Sequence, residues 1–350
     1  MMVMGCVLEV DAMTRSLWGL GAAAALVVIA GLGVSAEQTP SCTIFVQPGE
    51  SIQAVIDAAP VGAVICLAAG EWVVGGLVIN RSLTLRGQGP EETVLATTFS
   101  GAPPPGWRLP AGFSFGMSMI LIFSSAEKVV IEGIGLSGSR FVETSGIDVR
   151  GRVEITITEC DIRANYLGKG IWLGSSARAT ITNCTVSQNS YGIVLQDSAR
   201  ATIANCTITE NDDGIELHNT TWAAITNCTI NWNGIVGNGI ALEDTSEALI
   251  SGCSVTANGG NGIVLNDSSQ AILTGNTVLR NGRRGVALDD VPCDGTSSAF
   301  SGRVSGSGNT VPGPGDPDGN EGSAVCPDAL VFLMTPEGGE LDLRRTSTGE

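Results

Sequence analysis

Apolar residues return along the chain in a repeated unit of 22 to 25 residues. Each unit opens with Gly-Ile or Gly-Val, then one variable residue, then Leu or Val, and successive opening glycines are 24, 22, 22, 25, 23 and 23 residues apart. These glycines are Gly146, Gly170, Gly192, Gly214, Gly239, Gly262 and Gly285. Aliphatic residues recur eleven and sixteen residues after the glycine, with Thr, Ser and Asn between them. This alternation predicts three short strands in each unit, separated by turns.

Two further columns accompany the aliphatic ones. Cysteine stands fourteen residues after the glycine in five successive units, and asparagine stands nineteen residues after it in six. The cysteines are Cys160, Cys184, Cys206, Cys228 and Cys253, and the asparagines are Asn165, Asn189, Asn211, Asn233, Asn258 and Asn281. A unit this short cannot bury its own apolar face, whereas stacked units can. We therefore predict an all-β fold, a parallel β-helix over residues 37–290, with coils about 4.8 Å apart and these columns inside.

Both ends of the predicted solenoid differ from its repeats. Residues 43–72 indicate a strand, a short helix capped by Ser51 and a second strand, so we expect this helix to cap the N-terminal end. Residues 102–116 are rich in Pro and Gly, which predicts a loop that protrudes from an early coil. The period ends after Asp290, so residues 291–350 predict an irregular loop and C-terminal cap that protects the last sheet edge.

The first 36 residues resemble a targeting segment. An apolar run from Leu17 to Val34 follows Arg15, and Val34-Ser35-Ala36 has the small residues of a signal-peptidase site, which predicts cleavage before Glu37. Met13 is an alternative start that gives a better signal sequence. The competing interpretation is an uncleaved membrane anchor. Both interpretations predict export to the periplasm, the cell surface or the medium, with membrane contact only through this segment.

Charge narrows the choice of partners. The chain has 18 Lys and Arg against 35 Asp and Glu, a formal net charge of −17. Such an acidic surface repels phosphate backbones, so we expect no nucleic-acid partner. With 43% hydrophobic residues and only 15% charged ones, the chain is folded rather than disordered. We expect a monomer.

Of the ten cysteines, Cys6 precedes the predicted cleavage site and the other nine fall into two groups. The five column cysteines are predicted to be buried thiols that act as small hydrophobic side chains. A soft Cu(I) site is the alternative for this column, although it has no C-x-x-C motif and no nearby histidine. Cys42 and Cys66 flank the first coil, and Cys293 and Cys326 bracket the terminal loop. We predict one disulfide at each place.

The candidate binding residues lie at outward positions beside the Gly-Ile-x-Leu strand. Positions two and four residues after the glycines carry an aromatic residue, amides and acids that suit carbohydrate rings and hydroxyls. The predicted carbohydrate-binding residues are Trp172, Gln196, Glu216, His218, Glu243, Asn266 and Asp289. Their alternative interpretation is a solvated face of an acidic protein.

Two kinds of reactive site are conceivable on this face. Glu216, His218 and Glu243 are candidate catalytic residues, since carboxylates and imidazole transfer protons. Asp244, Asp267 and Asp290 recur on adjacent coils and are candidate Ca²⁺ ligands. Calcium is the only cofactor that these residues suggest.

Residues 43–72 resemble the opening coil of bacterial right-handed parallel β-helix proteins of the pectin-lyase-like superfamily. They read TIFVQPGESIQAVIDAAPVGAVICLAAGEW. The later GI-x-L…N-C-T-I…N coils resemble the superfamily's carbohydrate-binding and sugar-hydrolase repeats, a group that includes NosD-type accessory proteins of nitrous oxide reductase maturation. The resemblance covers roughly residues 43–290 and implies a right-handed, single-stranded helix.

The resemblance also sets the functional expectation. It implies an exported protein that binds or modifies polysaccharide at its acidic outer face. An enzyme of this kind would be a polysaccharide lyase or a glycoside hydrolase. The alternatives are a non-catalytic structural or surface-interaction protein, and a NosD-like accessory of metallocentre maturation, because one fold hosts many functions.

Overall fold

The chain folds into a solenoid of parallel β-strands. A computed structural model describes residues 41–97, 118–138, 145–288, 300–326 and 328–342. Within these ranges the strands form three long sheets, and the only α-helix is Ile52–Ala58. This architecture confirms the predicted all-β parallel β-helix, with about nine turns. None of the helices in the described ranges is both long and apolar enough to cross a membrane.

Each complete coil contributes one strand to each sheet, and the coils at the two ends are incomplete. Sheet 1 contains Ile44–Val46, Ala63–Leu67, Leu83–Arg86, Lys128–Glu132, Glu154–Thr158, Arg178–Thr182, Arg200–Ala204, Trp222–Thr226, Glu247–Ser251, Gln270–Thr274, Arg303–Ser307 and Gly339–Asp342. Sheet 2 contains Gly70–Val73, Thr93–Ala96, Gly135–Ser137, Asp161–Arg163, Thr185–Ser187, Thr207–Thr209, Thr229–Asn231, Ser254–Thr256 and Thr277–Leu279. Sheet 3 contains Leu77–Ile79, Ile120–Phe123, Ser145–Arg150, Lys169–Leu173, Tyr191–Leu195, Asp213–Leu217, Ile240–Leu242, Ile263–Leu265, Val286–Leu288 and Val325–Cys326. A 3-10 helix, Asp328–Met334, lies near the C-terminal end of the described chain.

The register of the strands places identical columns on top of one another. Ile181 pairs with Ile157 of the preceding coil and with Ile203 of the following coil. These isoleucines are fully buried and belong to one continuous hydrophobic core. The final strand, Gly339–Asp342, instead pairs antiparallel with Arg303–Ser307. A one-residue slip would turn the aliphatic column toward solvent, so burial itself fixes this register.

The asparagine column forms a buried ladder of amides. From Asn189 onward, the Oδ1 atom of each asparagine accepts hydrogen bonds from the main-chain N–H and the Nδ2 of the asparagine one coil earlier. The ladder runs through Asn165, Asn189, Asn211, Asn233, Asn258, Asn281 and Asn320. It satisfies buried polar groups at the turn that leads into sheet 3.

The cysteine column is also buried, as predicted. All five thiols are free, and each Sγ donates to two main-chain carbonyls, one of them in the preceding coil. Asn276 occupies the next place in this column and donates its Nδ2 to the carbonyl of Ile250 in the same way. The thiol therefore serves as a weak donor where an amide would otherwise stand.

The two ends of the solenoid test the remaining structural predictions. Ser51 caps the helix by accepting from the N–H of Ala54 at 3.3 Å. The predicted disulfide between Cys42 and Cys66 is present, with a Cα–Cα distance of 5.7 Å. Cys326 is disulfide-bonded too, but its predicted partner Cys293 lies outside the described residues. The predicted signal segment (1–36), the loop 102–116, Asp289 and Asp290 also lie outside them.

Candidate functional site

The outer side of sheet 3, named here the sheet 3 face, displays two rows of outward side chains. Because the strands are in register, residues two positions after each opening glycine form one row, and residues four positions after it form another. The first row contains Asp148, Trp172, Val194 and Glu216. The second contains Arg150, Gly174, Gln196, His218 and Glu243. The predicted polar residues on the described part of the face therefore do come together.

Trp172 is the aromatic centre of this face. It was predicted to be exposed, but it is half-buried because its ring lies across Gly174, where any side chain would collide with it. Its Nε1 donates to Oε1 of Gln196 at 3.2 Å, and the guanidinium of Arg150 lies 5.5 Å from the ring centroid. The glycine beneath it and the polar groups beside it hold the indole against the sheet.

An ion pair supports Arg150 beside the tryptophan. Arg150 donates from Nε and Nη2 to the carboxylate of Asp148, with its Nη2 2.8 Å from Oδ2. The Asp148 carboxylate is buried and accepts a further bond from Ser118 at 3.1 Å. The hydrogen bond to Asp148 raises the pKa of Arg150. This charge is therefore fixed in position, as bidentate carboxylate contacts usually achieve.

His218, Glu216 and Glu243 form the candidate proton-transfer cluster. The Nε2 of His218 lies 3.0 Å from Oε2 of Glu216, and their side chains are 32% and 19% exposed. The hydrogen bond to Glu216 raises the pKa of His218, with smaller contributions from the charges of Glu216 and Glu243, while burial opposes the rise. Burial raises the pKa of Glu243. An imidazole and a carboxylic acid with raised pKa values are suited to general acid and base chemistry near neutral pH.

Asn266 extends this cluster by one coil. Its Nδ2 donates to Oε1 of Glu243 at 2.7 Å. Its Oδ1 is buried and has no hydrogen-bond partner within the described part of the chain. A buried acceptor without a partner is rare in folded proteins.

A third outward row was missed by the sequence analysis. Residues directly before the opening glycines also face outward, and they include Lys169, Tyr191 and Asp213 on adjacent coils. The Lys169 ammonium lies 6.0 Å from the centre of the Tyr191 ring. The charge of Glu216 is the largest cause of a raised pKa at Tyr191, and burial raises that of Asp213. The position before the repeated glycine was a sequence signal that could have identified this row.

The C-terminal part of the sheet 3 face is apolar rather than polar. Ala241, Val264 and Ala287 occupy the row of Glu216 in the next three coils, are almost fully buried, and form a small hydrophobic cluster of their own. Among the described residues, the polar part of the face extends from Arg150 to Asn266.

The calcium candidates have partners of another kind. Asp244 accepts from the main-chain N–H of Asn219 at 2.8 Å, and Asp267 accepts from that of Asp244 at 3.1 Å. These carboxylates close turns between neighbouring coils. In the described ranges no group of three or more His, Cys, Asp or Glu is arranged to hold a metal ion. Since Asp290 lies outside those ranges, the calcium site stays a prediction.

Known proteins share this fold. A family model described as "Right handed beta helix region" matches residues 169–311. The A-module of the mannuronan C-5 epimerase AlgE4 from Azotobacter vinelandii is similar, with 18% identity, a TM-score of 0.52, and coverage of 74% of this chain and 84% of that one. Carrot pectin methylesterase is also similar, with 15% identity, a TM-score of 0.52, and coverage of 68% of this chain and 83% of that one. ORF18 of Geobacillus virus E2 has 12% identity, a TM-score of 0.51, and coverage of 76% of this chain and 61% of that one. No curated protein sequence matches the chain.

The protein is therefore a right-handed parallel β-helix. This is the fold that the sequence resemblance implied. The same fold serves polysaccharide-modifying enzymes, and at these identities the likeness concerns the fold alone.

Proposed function

We propose that the sheet 3 face, from Arg150 to Asn266, binds an extended polysaccharide that crosses the coils. The observation that carries this proposal is the seating of Trp172. Its half-buried indole lies across Gly174, bonded to Gln196, on the same face as the cluster of Glu216, His218 and Glu243. A fixed aromatic surface beside convergent polar groups is the usual composition of a sugar site.

Hydroxyl groups of the sugar would find acceptors along this path. The carboxylates of Glu216 and Glu243 are partly exposed and can accept hydrogen bonds from a bound sugar. Coils about 4.8 Å apart present these acceptors in line, so one chain reaches several of them at once. One sugar ring of the polysaccharide would stack on Trp172, and sugars farther along it would form hydrogen bonds with Glu243.

The charge of the face favours a neutral polysaccharide. Asp148 already balances Arg150, which leaves Lys169 and His218 to face the carboxylates of Asp213, Glu216 and Glu243. A densely anionic chain would meet like charges at the second half of this path. Like-charge contacts of this kind discriminate against the wrong partner.

The experiment is a binding screen against neutral and acidic polysaccharides, followed by titration of two variants. We expect Trp172→Ala to weaken binding about tenfold without lowering the melting temperature. Trp222→Ala is the matched control, because Trp222 is also half-buried but lies on the outer side of sheet 1. Unchanged binding in Trp172→Ala, or an equal loss in Trp222→Ala, would refute this location.

A second function is favoured by the hydrogen bond between His218 and Glu216. An acid–base pair beside Glu243, at the end of the proposed path, suits proton transfer to or from a bound neutral sugar, as in a glycoside hydrolase. Glu243→Gln should then abolish the release of new chain ends from a polysaccharide that still binds. Binding without any change to the polysaccharide would leave the protein a binding module.

Export to an oxidising compartment completes the proposal. The Cys42–Cys66 disulfide supports it, because such bonds persist mainly outside the cytoplasm. If the protein binds no polysaccharide in the screen, that result would instead favour the structural or the NosD-like alternative. Purification with its natural neighbours, followed by identification of any co-purifying metalloenzyme, distinguishes those two.

A further inference from the structure

Two arginines on the ridge of turns between sheets 2 and 3 have no side-chain partner among the described residues. Arg283 and Arg284 are adjacent, and neither side chain makes an ion pair or a hydrogen bond within the described residues. Arg280 of the same turn does pair, with its Nε 2.9 Å from Oδ1 of Asp318. The chain has 35 acidic residues for 18 basic ones, so a lack of available carboxylates does not explain the unpaired arginines.

These arginines line a concave site of about 490 Å³. Its other lining residues are Asn261, Gly282, Glu321 and Gly322. Gly282 and Gly322 let the turns of neighbouring coils approach closely here, because a side chain at Gly282 would collide with the carbonyl of Gly259, and one at Gly322 would press on the Arg283 backbone. Glu321 contributes the only carboxylate of the lining, and it pairs with neither arginine.

The backbone beneath the two guanidinium groups is fixed from both sides. The N–H of Arg283 donates to the carbonyl of Gly260 in the preceding coil, and the carbonyl of Arg283 accepts from Gly322 in the following coil. The N–H of Arg284 donates to Oδ1 of Asn261 at 3.1 Å. The side chains are therefore anchored at their bases while their charged ends remain available, which lowers the entropy cost of binding.

From this geometry we infer that Arg283 and Arg284 form a binding site for an oxyanion, meaning a ligand that carries a carboxylate, phosphate or sulfate group. Guanidinium groups present paired N–H donors that match such groups. The site lies on the turns and does not depend on the sheet 3 face. Its ligand would approach from the side of the solenoid, beside Asn261.

The test titrates the intact protein at low ionic strength with trigalacturonate, inorganic phosphate and inorganic sulfate, by calorimetry. We expect saturable binding of at least one probe, and at least about tenfold weaker binding in the double variant Arg283→Ala/Arg284→Ala. Arg280→Ala is the matched control on the same turn and should leave binding unchanged. Tighter binding of trigalacturonate than of both ions supports the site and identifies an acidic saccharide. Equal or tighter binding of an inorganic ion supports the site with a phosphate or sulfate ligand.

Two results would overturn the inference. One is the absence of saturable binding for all three probes, and the other is an equal loss of binding in Arg280→Ala. Should the double alanine variant unfold, Arg283→Lys/Arg284→Lys provides the test, since it keeps both charges but loses the paired donors and should still weaken binding. Trp172→Ala should bind these probes normally, so failure of this site is distinguishable from failure of the proposed polysaccharide path.

Discussion

The Oδ1 atom of Asn211 accepts two hydrogen bonds from Asn189, one from its main-chain N at 3.1 Å and one from its Nδ2 at 2.9 Å. Asn211 then donates its own Nδ2 to Asn233 at 3.1 Å and to the carbonyl of Val186 at 3.0 Å. One buried amide thus connects three successive coils. Removing this amide would leave hydrogen-bonding groups of both Asn189 and Asn233 without their partners.

Asn211→Ala should destabilise the protein by about 1–3 kcal/mol, because buried groups of Asn189 and Val186 lose their partners. Thr207→Ala is the comparison, since Thr207 lies on the outer side of sheet 2 and should change stability by no more than about 0.5 kcal/mol. Urea unfolding of both variants measures the difference. Equal midpoints would show that the ladder contributes nothing.

The five column cysteines should be inert in the native protein. The Sγ of Cys206, for example, is buried and lies 3.6 Å from the carbonyl oxygen of Ile181. All five thiols are enclosed by the core, so a thiol reagent cannot reach them in the native protein. Peptide mapping after labelling should find these cysteines modified only when the protein is denatured first. Rapid native labelling of several of them would contradict their burial.

The pairing of His218 with Glu216 predicts how stability depends on pH. The pKa of His218 in the folded protein lies above its ordinary value of about 6.5, so its protonated form stabilises the fold. This contribution is complete below the unfolded-state pKa and is lost as pH rises through the folded-state pKa. His218→Gln should therefore cost more stability at about pH 5 than at about pH 9.

The pKa itself can be measured directly, because His218 is the only histidine of the chain. Its NMR titration should give a value above about 6.5. Glu216→Gln should lower that value, since the hydrogen bond to the carboxylate is the largest cause of the shift. A titration at or below the ordinary value in the wild type would rule out the pairing.

The disulfide of the first coil should stabilise the N-terminal end. Cys42 and Cys66 are 24 residues apart, and closing a loop of that length contributes about 3 kcal/mol in the chain-entropy account. Cys42→Ala/Cys66→Ala should lower the unfolding free energy by that order. Strong reductant is the control: it also opens the disulfide of Cys326 in both proteins, so the wild type and the variant should then be equally stable. A variant as stable as the oxidised wild type would show that the bond closes a segment already held by packing.

Much of the architecture could be predicted from the sequence because each structural column repeats one residue type. The isoleucine, cysteine and asparagine columns are inside, as their spacing indicated, since only in-register stacking buries all of them. The helix cap at Ser51 and the Cys42–Cys66 disulfide were predicted from the local sequence around the first coil, and both are present.

The candidate site was harder to predict because it depends on neighbours across the face. Trp172 is half-buried owing to the missing side chain of Gly174, a relationship that no single column reveals. Val264 alternates as an outward residue should, yet it is almost fully buried. Lys169 and Tyr191 were missed because the position before the opening glycine was assumed to belong to the turn.

The coil Tyr191–Asp212 makes equivalent strand pairings with the coil before it and the coil after it, each offset by 22 residues. Duplicating this segment would therefore recreate interfaces that already exist. The inserted coil would add one residue to each of the isoleucine, cysteine and asparagine columns. The solenoid would grow by about 4.8 Å, and the sheet 3 face with it. Gene duplication can thus tune the length of ligand that the face spans, without any new core having to evolve.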